Sequence, residues 1–290
     1  MPDGAPLTAS RLDGLSRAVL AWGARRDLPW RRTGDPWSIL VSEVMLQQTQ
    51  VSRVEEAFKR FVARFPTPRE CAGAPSADVV RAWAGLGYHR RALALHRTAA
   101  LLLERHGGRV PATRRELEAL PGIGPYTARA VLALAYGHDT VPVDTNVSRI
   151  VARAVAGHRL RPAETQDLAD RLVPPGRARE LTQAMFDLGA LCCTSRNPHC
   201  DRCPLVRRCA WQRAGGPDPA GSPRPQSPFA GSDRQGRGRL LAALRQASLP
   251  EDDVAGAAGW PEDRQRSARV AAALVAEGFA RWESGALVLA

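Results

Sequence analysis

The chain has 290 residues, and at roughly 150 residues per domain this length predicts about two domains. Hydrophobic residues make up 44% of it and charged residues 24%, which excludes wholesale disorder, and no apolar run approaches the roughly 20 residues of a membrane span. The net charge of +12 points first to a polyanion such as nucleic acid as the partner. Residues 1–10 lack the basic opening and apolar segment of a signal peptide, so we expect a cytoplasmic protein.

Apolar residues recur at helical spacing from Pro29 to Gln212, without the alternation that a strand would show, and this predicts an all-α body. The first clear apolar stripe consists of Trp37, Leu40, Val41, Val44 and Met45. Glu43 lies inside this helix, one turn after Ile39 and one turn before Leu46. Burial there would favour the protonated form of its carboxyl group and suit it to general-acid catalysis.

Thr113 and Glu116 have the spacing of a capping box, which predicts a short helix ending at the turn from Pro121 to Pro125. A second helix is predicted from Tyr126 to Tyr136. Two helices joined by Leu-Pro-Gly-Ile-Gly have the signature of a helix-hairpin-helix, in which Gly122 and Gly124 let backbone N–H groups approach a DNA phosphate. An ordinary glycine-capped turn has the same glycines and remains an alternative.

Asp144 stands directly before a second apolar stripe, which consists of Val147, Ile150, Val151, Ala154 and Val155. Its simplest interpretation is therefore the N-cap of that helix. An N-cap carboxylate is held in a fixed place, so the same position also suits an anion that stabilises a developing cation.

Aromatic and amide side chains of the kind that handle flipped bases occur at Trp30, at Gln47 and Gln48, and at Tyr88. A protein that takes a base out of a duplex needs a surface for stacking, groups that read base edges, and a wedge to fill the gap. Each of these residues is equally consistent with ordinary packing.

Four cysteines within 17 residues form the pattern C-x6-C-x2-C-x5-C: Cys193, Cys200, Cys203 and Cys209. In a reducing compartment such a group indicates a metal centre rather than disulfides. Structural zinc usually takes two close pairs, whereas this run has one C-x-x-C, so the spacing favours a 4Fe-4S cluster with one cysteine per iron; zinc is the alternative. Cys71 and Cys192 are interpreted as small buried apolar residues.

Residues 214–238 hold five prolines and six glycines, the composition of a linker. Beyond them, helical patterns over residues 239–245, 251–258 and 261–277 precede two short strands that flank Ser284 and Gly285. Three helices and a hairpin predict a small winged-helix-like module over residues 239–290.

Taken together, several segments between about Leu28 and Cys209 resemble adenine DNA glycosylases of the MutY type, within the helix-hairpin-helix glycosylase superfamily that includes endonuclease III. These segments are LPWRR, SEVMLQQTQV, GLGYHRRA, LPGIGPYTARAVL, VDTNVSRI and the four-cysteine run. The resemblance implies two helical lobes, with the helix-hairpin-helix in residues 29–142 and the 4Fe-4S loop in residues 143–213, and residues 1–28 packing on the cluster lobe. It also implies a monomeric, nucleoid-associated bacterial enzyme that binds duplex DNA, not membranes, and removes adenine mispaired with 8-oxoguanine or guanine, leaving an abasic site.

The resemblance also assigns roles to single residues. Glu43 would protonate adenine and later activate water, and Asp144 would stabilise the oxocarbenium sugar. Tyr126 stands where endonuclease III carries a lysine that forms a Schiff base, and a phenol cannot form that imine. The residues implied to line the adenine pocket are Arg26, Trp30, Leu46, Val51 and Gln183. Those implied to lie against the opposite guanine are Gln48, Thr49, Leu86 and Tyr88.

The sequence departs from the family in two places. Thr145 replaces a glycine found in many members, which leaves Asp144 intact. The family's usual C-terminal domain is a Nudix-like fold of roughly 130 residues, whereas Asp233 to Ala290 offers only 58. The resemblance therefore implies adenine excision more directly than a preference for 8-oxoguanine.

Two other functions stay open at this point. One is a glycosylase of the same fold acting on thymine in T:G mispairs or on oxidised pyrimidines. The other is a non-catalytic iron-sulfur DNA-binding protein. That function would not explain why the chain has both Glu43 and Asp144.

Overall fold

The computed structural model describes residues 8–221 and 227–290. The first seven residues of the predicted N-terminal segment and residues 222–226 of the predicted linker lie outside the described residues. In chain order the described α-helices and strands are α1 Ala9–Trp22, α2 Pro36–Leu46, α3 Val51–Arg64, α4 Pro68–Gly73, α5 Ser76–Ala82, α6 Arg90–His106, α7 Arg114–Glu118, α8 Pro125–Ala135, α9 Thr145–Ile150, α10 Pro162–Arg171, α11 Ala178–Leu191, α12 Ala210–Ala214, α13 Asp233–Leu244, β1 Leu249–Pro250, α14 Val254–Ala258, α15 Arg264–Ala276, β2 Ala280–Glu283 and β3 Ala286–Leu289. No helix among these is long and apolar enough to cross a membrane.

The described residues pack as two units. Residues 8–43 and 111–221 form the first, and residues 44–110 and 227–290 form the second. In the first unit, the helices on either side of the hairpin, α7 and α8, pack together, and α8 also packs on α11. The sequence predicted the boundary between the two lobes after residue 142. In the structure, each unit is instead made of two separate segments of the chain.

The core of the first unit is built around α1, α9 and α11. The predicted stripe that begins at Val147 is buried throughout, although after Ile150 the backbone continues as a π-helix over Val151–Ala156. Helices α9 and α11 approach closely because Gly189 has no side chain: a Cβ there would lie 2.4 Å from the Cβ of Asn146. This close approach fixes the start of α9, where Asp144 is the N-cap.

Helix α2 is buried on every side from Trp37 to Met45. The predicted apolar stripe faces the core, and Ser38, Ser42 and Glu43 on the same helix are buried as well. Ser42 satisfies its hydroxyl by donating to the Ile39 carbonyl at 2.8 Å. A helix without a solvent face is held by packing all around it, so the Glu43 carboxyl group has a fixed and largely water-free position.

Residues 233–290 contain the elements of the winged-helix-like module that the sequence predicted over residues 239–290. Three helices accompany an antiparallel sheet in which β3 lies between β1 and β2, with Trp282 opposite Leu287. Helix α13 begins at Asp233, six residues before the predicted start at residue 239. The helix therefore includes Gly236, where a Cβ would lie only 2.0 Å from the Trp260 ring. This glycine serves close packing and does not mark a flexible linker.

Candidate active site

A buried acidic cluster in the first unit joins α2, α8 and the start of α9. Glu43 is only 3% exposed and shares a hydrogen bond with the hydroxyl group of Tyr126, in the first turn of α8. Asp144 lies near enough for its charge to act on both groups. The structure thus brings together the three residues for which the sequence predicted catalytic roles.

The electrostatic balance at Glu43 favours a proton near neutral pH. Burial is the main cause, and together with the charge of Asp144 it raises the pKa of Glu43 to about 7. The hydrogen bond with Tyr126 and the positive charge of Arg31 act in the opposite direction. Burial and the two carboxylates raise the pKa of Tyr126 well above 10, so its hydroxyl stays protonated and donates to Glu43.

Asp144 is held rigidly as the N-cap of α9, as predicted. Its Oδ1 accepts the Val147 backbone N–H at 2.7 Å, and its Oδ2 accepts the Asn146 side-chain amide at 3.1 Å. Burial raises the pKa of Asp144 above its usual value, while these hydrogen bonds and Arg149 work to lower it. The N–H donors therefore favour the anionic form in a place where desolvation opposes it.

Asp187 on α11 anchors the segment that carries Arg26 and Trp30. Its buried carboxylate accepts the backbone N–H groups of Arg25 and Arg26 at 2.7 and 2.9 Å, the Arg26 Nε at 2.6 Å, and both Arg31 Nη atoms at 2.8 and 2.9 Å. Despite burial, the paired arginines and N–H donors lower the pKa of Asp187 to about 2. Arg31 also reaches the Gln183 carbonyl at 3.4 Å.

Sequence reasoning missed both Asp187 and Arg31. One signal was available, since Asp187 falls among Ala184, Met185 and Leu188, where a carboxylate needs a cation. The partner was not identifiable, because Asp187 is 156 residues from Arg31 along the chain. Trp30, which the pair holds in place, is buried at 7% exposure.

The residues predicted to face the opposite base lie in the second unit, around a turn before α6. Tyr88 is 46% exposed, while Leu86 is 2% exposed. Thr49 donates to the Leu86 carbonyl at 3.3 Å and accepts from Arg91 at 2.9 Å. Thus Thr49, Leu86 and Tyr88 are brought together, with Gln48 exposed beside them; Leu46 and Val51 are half-buried at the ends of α2 and α3.

The predicted hairpin is present between α7 and α8. Thr113 caps α7, accepting the Glu116 N–H at 3.4 Å, and Gly122 has a left-handed φ of 76°. Gly124 is the N-cap of α8, and a Cβ on it would meet nothing within 4 Å. The N-terminus of α8 is therefore open to the approach of an anion.

The four cysteines of the metal motif line a single cavity in the first unit, next to apolar side chains that include Ile150, Leu188, Leu205 and Val206. Two side chains donate to sulfur: Gln212 to Cys200 at 3.2 Å and Arg153 to Cys193 at 3.5 Å. Among the described residues, no group of three His, Cys, Asp or Glu side chains is placed to hold a single metal ion.

Arg153 fastens the chain beyond the last cysteine to this cavity. It donates to the Thr194 carbonyl at 2.7 Å and to Asp218 at 2.9 Å, and its guanidinium lies over the Trp211 ring at 4.9 Å. Asp218 belongs to the segment predicted as a linker, so at least this part of it is bound to the cysteine region. Arg153 itself is 1% exposed.

The two cysteines outside the motif are buried, as expected: Cys71 is 0% and Cys192 is 5% exposed. Burial raises the pKa of the Cys71 thiol to about 12, which leaves it unreactive. Lys59, the one lysine of the chain, lies exposed on α3 with its Nζ 2.7 Å from Glu56.

Together with a match to a family model, the hairpin fold and the buried acidic cluster define a helix-hairpin-helix DNA repair protein. The family model described as "HhH-GPD superfamily base excision DNA repair protein" matches residues 41–175. A relative from Mycobacterium tuberculosis named adenine DNA glycosylase is 46% identical over 273 residues, which cover 90% of this chain and 88% of the relative. The chain belongs to the adenine DNA glycosylases of the MutY type.

Two solved structures extend the comparison. A thermostable thymine-DNA glycosylase aligns with a TM-score of 0.68 at 29% identity, covering 72% of this chain and all of the other. A trapped endonuclease III–DNA covalent intermediate aligns with a TM-score of 0.62 at 24% identity, covering 73% and 99% respectively. The second shows the shared fold alone.

Proposed function

We propose that this chain acts as a monomer on duplex DNA and hydrolyses the N-glycosidic bond of adenine mispaired with 8-oxoguanine or guanine, leaving an abasic site. The observation that carries the proposal is the buried Glu43, whose pKa of about 7 is matched to general-acid work at neutral pH. The 46% identity to a relative named adenine DNA glycosylase supports adenine as the base.

In this mechanism Glu43 donates its proton to a ring nitrogen of the flipped adenine. The electron pair of the bond between C1′ and N9 then passes to the base, which leaves as neutral adenine. A water molecule attacks C1′, and the Glu43 carboxylate accepts its proton, so the acid is regenerated. General-acid catalysis of this kind typically contributes about 100- to 10,000-fold.

Asp144 stabilises the positive charge that develops on the sugar as the bond breaks. Its position at the α9 N-cap keeps a carboxylate fixed, which is what electrostatic stabilisation of a transition state needs. A second carboxylate plays the same part for the oxocarbenium-like transition state of glycosidases. Tyr126 holds Glu43 by a hydrogen bond and has no amine, so the abasic strand stays intact.

The proposal also assigns residues to three further DNA contacts: a phosphate, the flipped adenine and the base opposite it. Gly122 and Gly124 present backbone N–H groups to a phosphate. The contacts to adenine are assigned to Arg26, Trp30, Leu46, Val51 and Gln183. The contacts to the opposite base are assigned to Gln48, Thr49, Leu86 and Tyr88. Flipping the base costs a few kcal/mol, least for a mispair.

A 4Fe-4S cluster fits the four cysteines, because each thiolate of such a cluster binds its own iron and the four need not meet at one ion. The sulfur-directed N–H groups of Gln212 and Arg153 suit a charged thiolate centre. When bound, the cluster supplies cross-links that order the loop from Cys193 to Cys209. Arg153, Trp211 and Asp218 hold the following segment against that loop.

Thymine excision from T:G mispairs is the second candidate, favoured by the 29% identity to a thymine-DNA glycosylase structure. Purified full chain is tested on duplexes holding adenine opposite 8-oxoguanine, adenine opposite guanine, thymine opposite guanine, and thymine glycol. The proposal expects release of adenine only, with alkali needed to break the strand. Release of thymine or thymine glycol without release of adenine would replace the proposed adenine excision with excision of that base. Release of no base would indicate a DNA-binding protein without glycosylase activity.

A further inference from the structure

The turn between α5 and α6 holds a strained backbone in the second unit. Tyr88 has a left-handed φ of 47°, and nearby Gln48 has one of 55°. Residues other than glycine keep such a conformation only where their surroundings hold it. The exposed Tyr88 ring is therefore set in place by its neighbours and not by its own backbone preference.

Arg91 supplies much of that restraint from a buried position at 9% exposure. Its Nη1 donates to the carbonyl oxygens of Val44, Met45 and Gln47, at 2.8, 2.8 and 2.5 Å. Its Nη2 donates to Thr49 Oγ1 at 2.9 Å and to the Gly87 carbonyl at 3.1 Å. Its guanidinium also lies 5.4 Å from the Tyr88 ring centroid. One side chain thus ties the Gln47–Thr49 segment to the Tyr88 turn.

The winged-helix-like module contacts His89 and Arg90, the two residues between Tyr88 and Arg91. The Glu277 carboxylate accepts hydrogen bonds from the Nε and one Nη of Arg90, at 2.7 and 2.6 Å, and another from Arg237 at 2.9 Å. The His89 ring packs edge-on against Phe279 at 6.5 Å and accepts from Arg245 at 3.2 Å. Burial and the surrounding arginines, Arg245, Arg237 and Arg91, lower the pKa of His89 to about 4, so the ring stays neutral as this contact requires.

The charge of the module argues against a role in DNA affinity. Residues 227–290 contain eight arginines and eight Asp or Glu, whereas the whole chain carries a net charge of +12. Neutralising phosphates needs an excess of cations. Several arginines of α13 and α15 are moreover paired within the module, as Arg266 is with Asp233 at 2.7 Å.

We propose that the C-terminal module is a positioning element for the Tyr88 turn: Glu277 and Phe279 hold Arg90 and His89, and Arg91 carries the restraint to Tyr88 and Thr49. This inference rests on the proposed function, in which that turn meets the base opposite adenine. The module then governs discrimination between opposite bases and leaves overall DNA affinity unchanged.

The test compares Glu277→Ala with Glu283→Ala in the full chain. Glu283 is a matched control because it is an exposed glutamate of the same module whose ion-pair partner, Arg281, belongs to the same strand. Hydrogen exchange of a peptide spanning residues 85–92 reports the turn, and a peptide spanning residues 93–106 of α6 is the internal reference. Single-turnover adenine release opposite 8-oxoguanine and opposite guanine gives the discrimination ratio, and affinity for an undamaged duplex is measured alongside.

For Glu277→Ala we expect faster exchange in residues 85–92, an unchanged reference peptide, unchanged affinity, and a ratio lowered about 2- to 30-fold, the range by which coupled networks respond to single mutations. Glu283→Ala should match wild type in all readouts. Arg91→Lys keeps the charge but loses the forked donor, and should lower the ratio in the same direction.

Unchanged exchange of the turn in Glu277→Ala overturns the inference, and so does a change spread equally over residues 93–106, which marks general destabilisation. The exchange readout does not need catalysis. If wild type releases no adenine, the proposed function fails while exchange still decides whether the module holds the turn.

Discussion

The raised pKa of Glu43 predicts that this residue destabilises the folded protein at neutral and alkaline pH. Its pKa is 4.5 when exposed and about 7 in the fold, so the folded state binds the proton more tightly than the unfolded state does. The free energy of unfolding therefore falls as the pH rises from 4.5 to 7 and is then constant. A shift of this size corresponds to about 3 kcal/mol, most of which falls between pH 5 and pH 8.

Glu43→Gln removes the titration and keeps an oxygen that accepts from Tyr126. Denaturant unfolding of wild type and variant at pH 5, 6, 7 and 8 measures the difference in the free energy of unfolding. We expect this difference to move in favour of the variant by about 2 to 3 kcal/mol from pH 5 to pH 8. Glu104→Gln, at an exposed carboxylate, is the control and should show no such trend. A pH-independent difference for Glu43→Gln would refute the reasoning that burial holds a proton there.

Three further predictions concern the other parts of the site. Asp144→Asn keeps the N-cap and should bind DNA normally, but it should slow single-turnover adenine release more than tenfold. Asp144→Ala should in addition lower the free energy of unfolding, measured with denaturant, by about 1 kcal/mol. Wild type should form little borohydride-trapped complex with abasic DNA, whereas Tyr126→Lys should form one measurable on a denaturing gel; trapping by wild type that Lys59→Arg abolishes would contradict this. Purified protein should contain about four irons per chain, and Cys203→Ser should lose iron and DNA affinity together; a fully folded preparation with one zinc would contradict the cluster.

The sequence could predict those features whose physical cause lies in residues close together along the chain. The burial of Glu43 follows from apolar neighbours in its own helix, and the N-cap at Asp144 follows from the stripe that begins at Val147. The ion pair between Asp187 and Arg31 joins residues 156 positions apart, so only the folded chain identifies it. Arg91 has the same explanation, because in the sequence it stands in a basic run typical of a surface.

The C-terminal module shows the same limit. Its helices and hairpin follow from periodicity, whereas β1 has only two residues and leaves no pattern. Helix α13 begins earlier than predicted and includes Gly236, which packs against Trp260. Composition does not distinguish a glycine that serves close packing from a linker glycine.

The most direct test of the central claim is the pH dependence of single-turnover adenine release from a duplex with adenine opposite 8-oxoguanine, for wild type and Glu43→Gln. If protonated Glu43 is the general acid, the wild-type rate falls about tenfold per pH unit above pH 7, because the protonated fraction falls by that factor. Glu43→Gln should be at least 100-fold slower at pH 6.5 and lack this alkaline limb. A wild-type rate that is constant or rises between pH 7 and pH 9, or a variant within tenfold of wild type, would contradict the account.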